Sequence, residues 1–155
     1  MTEIQIPERP VAAAGGSGLR ISNPGGPREL IMLVDDDEFF SLLTERVLVS
    51  DGYKVVVARN GVQAVDFFQV LHDEVELVLL DYVMPIMDGT EVFEELRGID
   101  PRVGVLMTSG YTDTDRFKGL IEKGARGFIP KPMTQTTLLT QVRATLDRLA
   151  ISHRK

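Results

Sequence analysis

Residues 30–37 read LIMLVDDD, a run of five apolar residues followed at once by three aspartates. An uninterrupted apolar run of this length predicts a strand that is buried on both faces, as in a parallel sheet covered by helices. Four similar strands follow, and between them the apolar residues recur at the spacing of an amphipathic helix. The predicted strands are Leu30–Val34, Tyr53–Ala58, Leu77–Leu80, Val103–Met107 and Gly127–Ile129. The predicted helices begin near Phe39, Asn60, Thr90, Thr112 and Thr134 and end near Val49, His72, Arg97, Lys123 and Leu149.

This strict alternation of strands and helices predicts an α/β fold in which helices cover both faces of a five-stranded parallel sheet. For a chain of this size we expect the doubly wound strand order 2-1-3-4-5 of the flavodoxin-like (α/β)5 architecture. Phe39, Phe67, Phe68 and Phe93 are predicted to lie in the core. Ligands of such folds bind at the carboxyl ends of the strands, so the residues found there are the candidate functional residues.

The composition is that of one soluble domain. The chain has 155 residues, of which 43% are hydrophobic and 26% are charged. Its net charge of −6 argues against direct binding of nucleic acid or of an anionic membrane. The absence of cysteine excludes disulfides and thiolate metal sites. No apolar run approaches the roughly 20 residues that cross a bilayer, and the N-terminus does not resemble a secretion signal. We therefore expect a cytoplasmic protein without membrane insertion.

The domain boundaries follow from the distribution of glycine and proline. Residues 1–28 hold four of the eight prolines and five of the 14 glycines, which predicts a flexible tail. Residues 29–149 are the predicted folded domain, and residues 150–155 are a short C-terminal tail.

Polar residues follow the apolar strands where the carboxyl ends should meet. Asp35 and Asp36 follow the first strand, Asp81 follows the third, and Thr108 and Lys131 follow the fourth and fifth. Three carboxylates this close repel one another, which favours a hard divalent cation, most plausibly Mg²⁺. A carboxylate can then act as the nucleophile toward a phosphoryl group, with the lysine and the hydroxyl binding the phosphoryl oxygens. The neighbouring Asp37 is expected to cap the following helix instead.

These strand ends carry four short motifs in order along the chain. They are LVDD at 33–36, LLD at 79–81 with Met84-Pro85 and Asp88-Gly89, MTSG at 107–110, and Phe128 with Lys131-Pro132. Together they resemble the receiver domain of two-component response regulators, over residues 29–149. We expect a single-domain receiver with no output domain, because the stretches at residues 1–28 and 150–155 are too short to form one. Such a protein is not an enzyme: it takes a phosphoryl group from a kinase or a small phosphodonor and is at most a weak autophosphatase.

The resemblance also implies the role of each site residue. Asp81 is the phospho-acceptor, and Thr108 and Lys131 contact the phosphoryl group. The Mg²⁺ ligands are Asp35, Asp36, Asp81 and the backbone carbonyl of Val83. Thr108 and Phe128 form the conformational switch, and the peptide bond before Pro132 is cis. Val83 and Gly110 occupy the positions that set the rate of dephosphorylation, and because neither side chain can hold a water we expect a long-lived phosphoryl group.

Receivers of this family act through protein partners. The expected donor is a histidine kinase or a phosphotransfer protein, and the expected target surface is the fourth helix, fifth strand and fifth helix. The stretch Gly110-Tyr111-Thr112-Asp113 resembles receivers attached to hybrid histidine kinases, which favours a relay or kinase association. The sequence does not decide whether phosphorylation drives the formation of a dimer.

Three other functions compete with this interpretation. A haloacid-dehalogenase-like phosphatase would use Asp35 as its nucleophile with Asp37 two residues on, although Phe39 stands where that family prefers Thr or Val. A docking module that is never phosphorylated would have lost an acid or Lys131, and both are present. A flavin or nucleotide binder needs a phosphate-cradling loop after the first strand, and the acidic loop at residues 35–38 would repel phosphate.

Overall fold

The computed structural model describes residues 18–110 and 114–154. The strands are β1 (Ile21–Ser22), β2 (Leu30–Val34), β3 (Lys54–Ala58), β4 (Val75–Asp81), β5 (Val105–Ser109) and β6 (Gly127–Pro130). The helices are α1 (Glu38–Ser50), α2 (Gly61–Leu71), α3 (Gly89–Ile99), α4 (Thr114–Glu122) and α5 (Gln135–Arg154). Within the described ranges, no helix is both long and apolar enough to cross a membrane.

The sheet has the order β1-β3-β2-β4-β5-β6. All strands except β1 pair in parallel, in the order β3-β2-β4-β5-β6. The predicted doubly wound order is therefore confirmed. Side chains alternate between the two faces of the buried strands: Met32 packs into the core beneath α2, α3 and α4, whereas Ile31 and Leu33 pack beneath α1 and α5. Both faces of the sheet are therefore covered, which leaves its carboxyl edge as the place where polar residues converge.

The sheet has six strands rather than the five predicted, because β1 adds to its edge. Ile21 pairs antiparallel with Val56 of β3, and Leu19 is buried in the core. The prediction of a flexible tail over residues 1–28 is therefore wrong for residues 18–28, while residues 1–17 lie outside the described part of the chain. The glycines and prolines here form a turn: Asn23 adopts a φ of 57°, and its carbonyl accepts from the Gly26 N–H at 2.9 Å.

The buried face of α1 differs from the predicted one. Its buried residues are Ser41, Thr44 and Leu48, whereas Phe39 is 71% exposed and the prediction that it lies in the core is wrong. Small polar side chains face the sheet because the helix approaches it closely: the Ser41 hydroxyl donates to the Asp35 carbonyl at 3.3 Å. In the first two turns of this helix Leu42 and Leu43 are also exposed, whereas Leu48 near its end is buried.

The C-terminal helix is longer than predicted. α5 continues to Arg154, so the predicted C-terminal tail at residues 150–155 is helical over residues 150–154. The sequence contains neither glycine nor proline after Pro132, and nothing in it ends the helix at Leu149.

Candidate functional site

The site lies at the carboxyl edge of the sheet, where the parallel register sets polar residues side by side. Asp81 is the last residue of β4 and stands opposite Thr108 of β5. Asp35 directly follows β2, and its N–H continues the ladder by donating to the Ala58 carbonyl at 3.1 Å. Asp35 is fully buried, and Asp81 and Thr108 are 5% and 2% exposed. These groups are therefore largely shielded from water at the end of an apolar sheet.

Three carboxylates converge at this edge. Asp35, Asp36 and Asp81 each offer an oxygen, and these oxygens all lie within 4.8 Å of one another. Asp36 is exposed and opens the cluster toward solvent. Asp37 takes a different role, because its side chain caps α1 by accepting from the Phe40 N–H at 3.0 Å, as predicted. An all-oxygen set with one exposed ligand fits a hard divalent cation such as Mg²⁺ that keeps some of its waters.

The positive charge near the buried carboxyls of Asp35 and Asp81 is too small to offset the cost of ionising both. Burial raises the pKa of Asp81 from 3.8 to about 6, and the nearby Asp35 adds to the rise, while Lys131 and the Val83 N–H oppose it. Burial also raises the pKa of Asp35, although this carboxylate accepts from the Asp37 N–H at 2.9 Å and from Lys131. Two carboxyls sharing one ammonium favour the protonated form unless a further cation is present.

Lys131 lies at the end of β6 and reaches into this cluster. Its Nζ donates to Asp35 Oδ2 at 2.9 Å and lies 3.5 Å from Asp81 Oδ1. Its backbone N–H donates to the Ser109 carbonyl at 2.8 Å, which ties it to the neighbouring strand β5. The Lys131–Pro132 peptide bond is cis. The ammonium is therefore placed where it can contact any group bound at Asp81.

One neighbour of Lys131 was not found from the sequence. The Lys131 Nζ lies 4.2 Å from the centroid of the Phe40 ring. Phe40 lies outside the motifs at the strand ends, and helical periodicity places the adjacent Phe39 on the inner face of the helix instead. The N-cap at Asp37 is the signal that could have placed the first turn of α1 correctly.

The loop after β4 is closed by a turn that only glycine fits. The Gly89 N–H donates to the Tyr82 carbonyl at 2.8 Å, and a Cβ at Gly89 would lie 2.7 Å from the Tyr82 Cα. Asp88 then starts α3 with a capping box that includes Glu91. This closure positions Val83, whose N–H bonds to the Asp81 carboxyl and whose side chain is 46% exposed.

Thr108 and Phe128, the residues predicted to form a switch, lie on neighbouring strands. Thr108 lies between Asp81 on β4 and Ile129 on β6. Phe128 is partly buried, and its ring stacks on Phe117 of α4 at a centroid distance of 3.9 Å. Phe117 in turn meets Tyr82 edge to face at 5.4 Å. The aromatic contacts thus run from the residue after Asp81 to β6.

The second position predicted to set the dephosphorylation rate, Gly110, directly follows β5. Gly110 is exposed, and a Cβ there would meet nothing within 4 Å. The remainder of the stretch compared with hybrid kinases, Tyr111–Asp113, lies outside the described residues.

Comparison with known proteins gives a consistent result. The family model of the response regulator receiver domain matches residues 31–143. Over 118 residues, 76% of this chain, the sequence is 36% identical to the transcriptional regulatory protein CpxR of Escherichia coli K12 and 33% identical to the chemotaxis protein CheY of Bacillus subtilis 168. The match covers 97% of that CheY and 49% of that CpxR, so the chain spans about half the length of the latter.

Two further similarities bear on partners and ligands. The sensor kinase CckA of Brucella abortus is 35% identical over 118 residues, which cover 76% of this chain and 12% of the kinase. A chain in the crystal structure of the CheX–CheY–BeF3–Mg²⁺ complex of Borrelia burgdorferi superposes with a TM-score of 0.73 at 27% identity. That superposition covers 79% of this chain and 97% of the other.

Proposed function

This chain belongs to the response regulator receiver family, and from that premise we propose that Asp81 accepts a phosphoryl group in a two-component phosphorelay. The observation that carries the proposal is the position of Asp81 at the end of β4. It is 5% exposed, it lies within 4.8 Å of two further carboxylates, and the Lys131 Nζ is 3.5 Å away. The nucleophile, the ion-binding carboxylates and the lysine are thus already assembled.

Asp81 serves as the nucleophile through one carboxylate oxygen. That oxygen attacks the phosphorus of the donor, the donor's bond to phosphorus breaks, and an acyl phosphate forms on Asp81. Lys131 binds the phosphoryl oxygens as a point charge, and the Thr108 hydroxyl donates to them. The Val83 N–H bonds to the Asp81 carboxyl and fixes its orientation during attack.

Mg²⁺ is the cofactor that the acidic cluster fits best. Asp35, Asp36, Asp81 and the backbone carbonyl of Val83 would hold it. When bound, it neutralises negative charge on the phosphoryl group as that group is transferred. The cluster of three carboxylates and the raised pKa of Asp81 support this assignment. The similarity to the chain solved in complex with BeF3 and Mg²⁺ also supports it.

Phosphorylation acts on partners by shifting a two-state surface. The phosphoryl group draws Thr108 toward it, and Phe128 moves with the loop, because the state with more contacts to the group is favoured. The surface formed by α4, β6 and α5 then binds a protein target, or the group passes onward in a relay. The donor is a histidine kinase or a phosphotransfer protein, and the similarity to the CckA sensor kinase supports a relay. Phosphorylation-linked dimerisation and the absence of direct contact with nucleic acid belong to the same proposal.

The chain does not turn over substrate as an enzyme in this scheme; at most it is a weak autophosphatase. The haloacid-dehalogenase-like alternative needs Asp35 as the nucleophile. Asp35 holds Lys131 more closely than Asp81 does, since the Nζ lies 2.9 Å from Asp35 Oδ2 and 3.5 Å from Asp81 Oδ1. Asp35 is fully buried, and the Asp37 side chain is used as the cap of α1. These contacts favour Asp81 as the acceptor.

The test is the intact mass of the protein after incubation with Mg²⁺ and acetyl phosphate. We expect one added phosphoryl mass that is lost in Asp81→Asn and in EDTA. The matched control is Asp66→Asn, an exposed aspartate on α2, which should be phosphorylated like the wild type. Release of inorganic phosphate that is abolished by Asp35→Asn and survives Asp81→Asn would overturn the proposal in favour of the phosphatase. A folded protein without any adduct would favour a docking module.

A further inference from the structure

We propose that Phe40 is the positioning residue for Lys131, because its ring holds the ammonium at the acidic site and thereby sets how well Lys131 binds a phosphoryl group. The Lys131 Nζ lies 4.2 Å from the ring centroid, within the range of a cation–π interaction. The Lys131 side chain is 18% exposed, so this contact is largely desolvated. The inference rests on the proposed function of Asp81 and adds a residue outside the motifs that define the site.

The backbone of Phe40 is held in place by a series of contacts at the start of α1. The Asp37 side chain accepts from the Phe40 N–H at 3.0 Å and so fixes the first turn of the helix. The Asp37 N–H donates to Asp35 Oδ1 at 2.9 Å, and Asp35 Oδ2 accepts from the Lys131 Nζ at 2.9 Å. The Lys131 ammonium in turn contacts the Phe40 ring. These contacts therefore fix the Phe40 backbone at a position from which its ring reaches the Lys131 ammonium.

The ring contact differs in kind from the other two contacts of the ammonium. Asp35 at 2.9 Å and Asp81 at 3.5 Å attract Lys131 through their negative charge. That charge is redistributed when a cation binds to the carboxylates or when Asp81 becomes an acyl phosphate. The attraction of the Phe40 ring does not depend on the charge of either carboxylate, because it arises from the quadrupole of the ring.

The Phe40 ring limits the movement of the long and flexible Lys131 side chain. A lysine ammonium sits on four rotatable carbons and is strongly hydrated, so it turns to water readily when its partners change. A ring on one side of the ammonium excludes water from that side and keeps the amine pointed at Asp81. Phe40 thus preserves the position of Lys131 at the stage when the phosphoryl group needs it.

The experiment measures the rate of Asp81 phosphorylation by acetyl phosphate at saturating Mg²⁺, followed by intact mass. We expect Phe40→Leu to lower the second-order rate constant by about 2- to 30-fold, the range that a cation–π contact is worth. Phe40→Tyr keeps an aromatic face and should stay within about twofold of the wild type. The matched control is Phe39→Leu, since Phe39 is the adjacent residue and is 71% exposed. It should leave the rate unchanged.

A double-mutant comparison separates positioning from packing. In the Lys131→Met background, which removes the ammonium and keeps the length of the side chain, Phe40→Leu should cause no further loss. An equal loss in both backgrounds would show that the ring acts through packing alone and would overturn the inference. If the Lys131→Met rate is too slow to measure, Phe40→Met decides, because methionine fills a similar volume without an aromatic face and a rate equal to that of the wild type would overturn the inference.

The outcomes also separate this inference from the proposed function. If the wild type is phosphorylated and Phe40→Leu reacts equally fast, only the proposed role of Phe40 is wrong. A folded wild type without any adduct removes the proposed function of Asp81, and the role of Phe40 with it.

Discussion

Replacing Asp81 by asparagine should stabilise the cation-free protein, by an amount that grows with pH. Burial beside Asp35 raises the pKa of Asp81 from 3.8 to about 6, so at neutral pH the folded protein carries a buried charge that it holds at a cost. At about 1.4 kcal/mol for each factor of ten in the ionisation constant, the cost at pH 7 is about 3 kcal/mol. Asparagine keeps the shape of the carboxyl group and removes the charge.

The sign follows from proton linkage. A carboxyl whose pKa is higher in the folded protein than in the unfolded chain binds its proton more tightly when folded. Between the ordinary value of 3.8 and about 6, the folded protein therefore binds more protons than the unfolded chain, and the free energy of unfolding falls as the pH rises. Above about pH 7 the loss is complete and constant. The raised pKa of Asp35 acts in the same direction.

The assay is urea unfolding in EDTA at intervals from pH 4 to pH 8, with wild type and Asp81→Asn side by side. We expect the variant to gain about 2 kcal/mol relative to the wild type between pH 4 and pH 8, with most of that change between pH 4 and pH 6. Asp66→Asn on α2 is exposed and should give a flat difference. A difference that stays the same at every pH, or an Asp81→Asn variant less stable than wild type at pH 8, would refute the reasoning.

Three further predictions concern separate parts of the fold. Val83→Asn places a hydrogen-bonding side chain at a 46% exposed position beside Asp81, so this variant should lose its phosphoryl group faster than the wild type. If the isolated phosphorylated variant decays as slowly as the phosphorylated wild type, or more slowly, the prediction is wrong. Gly89→Ala brings a Cβ to 2.7 Å from a backbone Cα and should lower the free energy of unfolding by about 1–3 kcal/mol in urea, whereas Gly98→Ala in the same helix has open space around its Cβ and should not destabilise. Phe39→Ser should change the free energy of unfolding by no more than about 0.5 kcal/mol because the ring is 71% exposed. Phe68→Ala should lower it by about 3–5 kcal/mol because that ring is buried. If thermal unfolding shows the same loss for both variants, the assignment of Phe39 to the surface is wrong.

The strand order and the meeting of the acids could be predicted because both depend on long-range regularities. Apolar runs such as Leu30–Val34 identify buried strands, and parallel pairing then brings their carboxyl ends to one edge. What failed depends on local geometry. The strand β1 has two residues and lies among glycines and prolines, so no periodicity marks it. The face of α1 is decided by the cap at Asp37, and a rotation of one residue exchanges Phe39 for Phe40 against Lys131. Composition and periodicity are insensitive to a rotation of this size.

Under the proposed function, the charge of the site gives a reason for a conformational response to phosphorylation. Asp35, Asp36 and Asp81 carry three negative charges when ionised, and Lys131 returns one positive charge, so the described cluster has a net charge of −2. A divalent cation would balance it. An acyl phosphate on Asp81 replaces one negative charge by about two, which leaves about one charge uncompensated. In a site this buried that charge must be met by hydrogen-bond donors. Thr108, whose side chain is 2% exposed and lies beside Asp81 in the sheet, is the donor that can move toward it. Under the proposed function, the same burial that raises the pKa of Asp81 would therefore favour a movement of β5 on phosphorylation.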